Sequence, residues 1–140
     1  MNHVLSQQEL RPGEGPIGVV LLPGRGACLQ VATEIQGLAE GTGVTCRALD
    51  AGDGGGKPAW QPDRVEQVDI AVATPGELVA LLNSRATNLC RATFIVIDEA
   101  DGHAAGGLCG QLRLLLGKAR PDRQVMLFTE AWLTEVEALA

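Results

Sequence analysis

Tyrosine is missing from this sequence, and phenylalanine and tryptophan occur twice each, so aromatic side chains fill only 3% of its 140 positions. A surface that stacks successive bases on rings has little to draw on. Basic charge is short as well. Eleven lysines and arginines face 17 aspartates and glutamates, a formal net charge of −6. Such a chain gets no long-range help in approaching phosphate, so any nucleic-acid contact must rest on a local basic patch. With two histidines there is no Ser-His-Asp or Cys-His arrangement to suggest nucleophilic catalysis. Cys28, Cys46, Cys90 and Cys109 form no C-x-x-C pair, which argues against zinc and for reduced, mostly buried thiols. No apolar run is long enough to span a membrane, and no charged-then-apolar leader opens the chain. The expectation is a soluble, intracellular protein with no membrane partner.

What is plentiful is glycine, 18 residues, and apolar side chains, 46% of the total. That content is enough to bury one core in one compact domain. Residues 1–16 are polar and end in Gly/Pro punctuation, so they read as a lead-in outside the core, with the domain at 17–140. Short apolar, β-branched runs at 17–23, 44–49, 69–73, 93–97 and 125–128 predict five strands. Between them, helical spacing predicts helices over 27–40 (apolar at Cys28, Val31, Ile35 and Leu38), from Pro75 through Leu82, over 108–116 and from 134. Residues 50–63 read as a loop. Strands alternating with helices predict an α/β fold, a parallel twisted sheet flanked by helices on both faces, with ligands at the carboxyl ends of its strands.

The strongest chemical signal is FIVIDEAD, residues 94–101. An apolar strand runs into Asp98 and Glu99, which a parallel sheet delivers to its ligand-binding edge. Two adjacent carboxylates there suit phosphoryl transfer: the first holds magnesium, often through water, and the second orients the attacking water. A solvated acidic helix start is the bland alternative.

Several segments in order carry a resemblance to the DEAD-box RNA helicases, in particular their first RecA-like lobe, over about residues 16–140. VLLPGRGACLQ sits where that family has P-T-R-E-L-A, placing Pro23, Gly24 and Arg25 on an RNA-facing loop. DIAVATPGELVALL resembles its T-P-G-R segment, so Thr74, Pro75 and Gly76 would also meet RNA. FIVIDEAD is similar to the hydrolysis motif. It would make Asp98 and Glu99 catalytic, with Asp98 the magnesium ligand and Ala100 and Asp101 part of the coupling to ATP. Thr129 and Ala131 fall in the place of S-A-T, another coupling motif. Gly52 falls on the family's glycine-pair loop, a backbone contact to RNA. The resemblance implies Mg-ATP as cofactor and ATP-driven RNA unwinding by two lobes as activity.

The departures shape the expectation. Residues 51–58, AGDGGGKP, imitate the A-x-x-G-x-G-K-T phosphate loop. Pro58 replaces the hydroxyl that would ligate magnesium, and Pro58 and Pro62 together spoil the helix such a loop needs. It also follows the second strand, where the resemblance places the RNA-contacting glycine loop, and no other phosphate loop stands in these 140 residues. The T-P-G-R arginine is Glu77, reversing the sign of a phosphate contact. The S-A-T alanine is Glu130, and Gly102-His103 follow DEAD where the family continues with an arginine and an apolar pair. The expected product is a partial P-loop NTPase lobe lacking the phosphate-loop strand, without ATPase activity or cofactor of its own. It would bind RNA weakly or serve as a protein-interaction module. The alternative is an excerpt of a longer active helicase. In the partial lobe, the strand at 125–128 would have an unpaired edge open to a partner or a second copy. Of the remaining candidates, His103 reads as exposed and solvated, Trp132 as core, Trp60 as partly buried, and Lys118, Arg120 and Arg123 as a solvated turn.

Overall fold

The structure, a computed structural model, describes residues 1–7, 13–49 and 68–139. AGDGGGKP, Gly52 and Trp60 lie outside the described residues. Five parallel strands form one sheet in the order β2-β3-β1-β4-β5: β1 Gly18–Leu21, β2 Cys46–Ala48, β3 Ile70–Ala73, β4 Phe94–Ile97 and β5 Gln124–Leu127. The helices are α1 Asn2–Leu5, α2 Arg25–Ala39, α3 Pro75–Asn83, α4 Ala100–Ala105, α5 Cys109–Lys118 and α6 Thr134–Glu137.

The two-residue period of a strand divides the core. Val19, Leu21, Ala71, Ala73, Ile95 and Ile97 pack on one face against Leu78 and Leu81 of α3 and Leu112 and Leu115 of α5. Ile70 and Val72 pack on the other against Cys28 and Ala32 of α2 and Val4 of α1. Each large side chain so buried contributes roughly 1.5–3 kcal/mol. Both faces carry helices, as a parallel sheet requires.

Three expectations are corrected here. The lead-in joins the lobe: Val4 is buried, His3 Nε2 lies 2.8 Å from Thr93 Oγ1, and Glu14 pairs with Arg91 at 2.8 Å. A short amphipathic turn can seat one apolar side chain, and composition hides this. Leu38 was placed on the inner face of α2 by spacing but is 75% exposed, while its neighbour Ala39 is buried. Trp132 is 62% exposed, as it follows β5 on the outer strand, where no further layer covers it among the described residues.

Register places the site. Leu21, Ala73, Ile97 and Leu127 align across β3, β1, β4 and β5. The residues that follow them therefore emerge in one row along the carboxyl edge.

Candidate nucleotide and nucleic-acid edge

Along this row β1 runs into Pro23, Gly24 and Arg25. Gly24 is the N-cap of α2, in extended conformation with no side-chain cap, so the first amides of a 15-residue helix open onto this edge. Gly24 and Arg25 are exposed and Pro23 is half-buried.

From β3 the chain enters α3 through Thr74. Thr74 Oγ1 accepts the Glu77 N–H at 3.3 Å, and Glu77 Oε2 accepts from Thr74 N–H at 3.2 Å and Thr74 Oγ1–H at 2.9 Å. This is a capping box closed by Pro75 at the first helical position. Glu77, read from the sequence as a lost cation, turns its carboxylate onto its own helix start. The T-P-G-E spacing carried that signal. The Glu77 charge also helps burial push the Cys28 thiol up to about 11, burial being the larger cause.

From β4 the chain turns sharply. Asp98 N–H donates to Leu21 C=O at 3.0 Å, and Asp98 Oδ1 accepts the Glu99 N–H at 2.9 Å. Glu99 has φ 50° and ψ 51°, left-handed backbone that costs a non-glycine residue roughly 1–2 kcal/mol. This elbow holds Asp98 half-buried and Glu99 exposed, with Ala100 buried behind them and its N–H on Phe128 C=O at 2.9 Å. Thr129 Oγ1 lies 3.2 Å from Asp101 Oδ1 and 2.7 Å from Ala131 C=O, its one proton shared between them. The structure thus joins the ends of β4 and β5 through Asp101, Thr129 and Ala131, three of the residues the resemblance assigned to coupling.

His103 corrects its reading. It lies in α4, not in a loop, is fully buried, and its Nε2 is 3.3 Å from Leu21 C=O. Burial lowers its pKa, against the opposing pull of the Leu21 and Asp98 backbone. Gly102, Gly106 and Gly107 around it suggested a loop, but α4 tolerates Gly102 because Pro23 packs there: a Cβ on Gly102 would stand 3.2 Å from Pro23 Cγ. The basic trio behaves as a turn. Arg120 and Asp122 pair in two hydrogen bonds of 2.8 and 2.7 Å, raising the guanidinium pKa and lowering that of the carboxyl.

The donors at the elbow are carboxylate oxygens, the hard ligands magnesium prefers. Among the described residues no group of three His, Cys, Asp or Glu side chains could hold a metal ion. The pair therefore fits magnesium only as one side of a site that a triphosphate would complete.

A parallel five-stranded sheet whose fourth strand, β4, beside the central β1, ends in this acidic elbow is a lobe of the RecA-like type. The DEAD/DEAH box helicase family profile matches residues 2–139, and the chain belongs to that family. It is 36% identical to the ATP-dependent RNA helicase DDX42 of Gallus gallus over 140 residues, 99% of this chain and 14% of that protein. It is 39% identical to the ATP-dependent RNA helicase dbp2 of Sclerotinia sclerotiorum, again over 99% of this chain and 24% of that protein. Among solved structures, a DEAD box protein from the hyperthermophile Methanococcus jannaschii superposes with a TM-score of 0.74 at 26% identity, covering 93% of this chain and 35% of that one. An S. cerevisiae Dbp5 structure bound to Nup159, Gle1, IP6 and ADP gives 0.74 at 22% identity over 93% of this chain and 34% of that one, a likeness of fold. The chain thus spans a minor part of the curated relatives named here.

Proposed function

We propose that this chain acts as a degenerate DEAD-box lobe, silent toward ATP by itself, that meets single-stranded RNA weakly through the row at its carboxyl edge. The observation that supports the reading is the first turn of α3, where Glu77 stands in the place of the resemblance's arginine and its charge acts on Cys28 in the first turn of α2. Arg25, Gly24, Thr74, Pro75 and Gly76 are the residues proposed to touch RNA, with Gly52 among them by sequence alone. Asp98 and Glu99 keep the geometry to hold hydrated magnesium and to orient water. When Mg-ATP is bound, the metal supplies charge neutralisation for phosphoryl transfer. Asp98 would be the residue that holds it, with Asp101, Thr129 and Ala131 passing its state to β5. A triphosphate also needs several amides and a lysine to offset its desolvation. Pro58 in AGDGGGKP deprives that loop of both a hydroxyl and an N–H. The place of action is intracellular on this reading.

A second reading has its own support. The relatives named above are four to seven times longer, which favours an excerpt of a longer helicase whose phosphate loop and second lobe lie elsewhere. Isothermal titration of the 140-residue chain with Mg-ATP tests the first reading, and a longer chain carrying a phosphate loop tests the second. We expect binding weaker than about 100 µM, roughly −5.5 kcal/mol, and no hydrolysis above background. Tighter binding by this chain would overturn the silent-lobe reading.

A further inference from the structure

The buried imidazole of His103 has no part in the site described above. It occupies a position where the resemblance has an apolar residue, and an apolar residue would have packed there without needing a partner. Its Nε2 reaches Leu21 C=O at 3.3 Å, and Leu21 C=O also accepts the Asp98 N–H at 3.0 Å. A carbonyl accepts and cannot donate, so the proton sits on Nε2. Nδ1 is buried and makes no hydrogen bond among the described residues, although the Asp98 backbone lies near enough to favour the protonated ring. Leaving Nδ1 so is tolerated for one bond, to the last residue of β1.

Two residues beyond that carbonyl lies Pro23, which packs on Gly102, the neighbour of His103. The Glu99 side chain closes the same gap: a Cβ on Gly102 would stand 3.6 Å from Glu99 Cβ. We propose that His103 and Gly102 are positioning residues that clamp the Pro23–Gly24–Arg25 loop to the Asp98–Glu99 elbow, so that the RNA-facing and nucleotide-facing ends of the edge move as one body. Gly102 allows the approach and His103 holds it. Neither touches a ligand. The RNA consequence rests on the function proposed above, whereas the clamp does not.

The test begins with the unmodified chain. Nitrogen-15 NMR of the imidazole reads the tautomer directly. We expect the neutral Nε2–H form at pH 7; an Nδ1–H tautomer or an imidazolium overturns the proposal. Amide exchange then reads the clamp in two variants. His103→Leu removes the donor, and His103→Gln replaces the ring Nε2 with an amide Nε2. In His103→Leu, the amides of Leu22 and Cys28, which flank the loop and donate to Ala73 C=O and Gly24 C=O, should exchange about tenfold faster. The Gly18 amide, on Asp69 C=O at the far end of β1, should hold its rate. His103→Gln should return Leu22 and Cys28 to the original rate. Equal acceleration at Gly18 would mean that His103 only adds global stability. That outcome, unchanged rates at Leu22 and Cys28, or no rescue by glutamine would each overturn the clamp. With a short RNA, His103→Leu should weaken binding about threefold in the unmodified chain and not at all in Arg25→Ala. If Arg25→Ala alone changes nothing, the RNA reading has failed while the exchange result still decides the clamp.

Discussion

At the scale of single residues, Glu77 does two things that a sequence alignment would describe as one loss. Its carboxylate satisfies Thr74 N–H and orients the first turn of α3. Its charge also acts on Cys28, in the first turn of the helix that Arg25 begins. Glu77→Arg should therefore separate stability from binding. The capping box is lost, at a cost of about 1 kcal/mol, while RNA binding tightens by roughly 1 kcal/mol, since exposed charge pairs seldom give more. Glu77→Ala should show the same stability loss with a smaller gain in binding. Denaturant unfolding and fluorescence anisotropy on the two variants check this, and a Glu77→Arg chain unchanged in both would remove Glu77 from the site. The cysteines offer a second prediction. Burial raises Cys28, with help from Glu77, and Cys46 from 9.0 to about 11. The folded state then keeps two protons that the unfolded chain releases, so the unfolded chain binds fewer protons between pH 9 and 11 and stability falls across that window. Below pH 9 the contribution is fully present. The absence of tyrosine removes one alkaline titration from the same window. The urea midpoint should stay level up to about pH 9 and then decline, and Cys46→Ala should flatten the decline. A midpoint level to pH 11 in the unmodified chain would show that these thiols are open to solvent.

At the scale of elements, β5 stands apart. It pairs with β4 on one side only among the described residues, and Val125 and Met126 are 39% and 36% exposed. Phe128 follows at 48%. No charge or proline interrupts residues 124–128, so nothing in the sequence discourages another strand from pairing there. We expect the isolated 140-residue chain to self-associate at micromolar concentration, and Met126→Lys to weaken that association at least tenfold. Sedimentation velocity decides it; a monomeric unmodified chain at 100 µM would count against an open edge. β5 also shows what the sequence could tell. Its apolar run, like those of β1, β3 and β4, announced a strand because strands of a parallel sheet are short and apolar, although β5 itself is mostly exposed. The run does not say which strand is outermost, since order depends on pairings far apart in the chain. Trp132 was misplaced for that reason. The Asp98–Glu99 elbow was legible because its chemistry sits in consecutive residues, and the T-P-G-E box could have been read from spacing alone. His103 was not legible. Its burial depends on Pro23 and Leu21, about eighty positions earlier, and the glycines at 102, 106 and 107 argued locally for a loop. The same distance hid the seat of Val4.

At the scale of the whole molecule, charge sets the character of any RNA contact. The net charge of −6 repels phosphate at long range, while the carboxyl edge carries Asp98 and Glu99 after β4, Asp101 in α4 and Glu77 in the first turn of α3. Arg25 is the cation the resemblance leaves on that edge. Arg120, which might have extended it, is held in a pair with Asp122. Each phosphate contact neutralised by a cation contributes about 0.7 to the slope of log affinity against log salt for a single strand. An edge with one such contact should show a slope near −1, where a surface with six contacts would show one steeper than −4. We therefore expect binding weaker than about 10 µM to a short single-stranded RNA at physiological salt, within the non-specific range and shallow in its salt dependence. Arg25→Ala should remove most of the remaining slope. Anisotropy at two salt concentrations on the unmodified chain and on Arg25→Ala tests both statements. Sub-micromolar binding with a steep slope would place the RNA on a different surface, and a slope untouched by Arg25→Ala would take the Pro23–Arg25 loop out of the contact altogether.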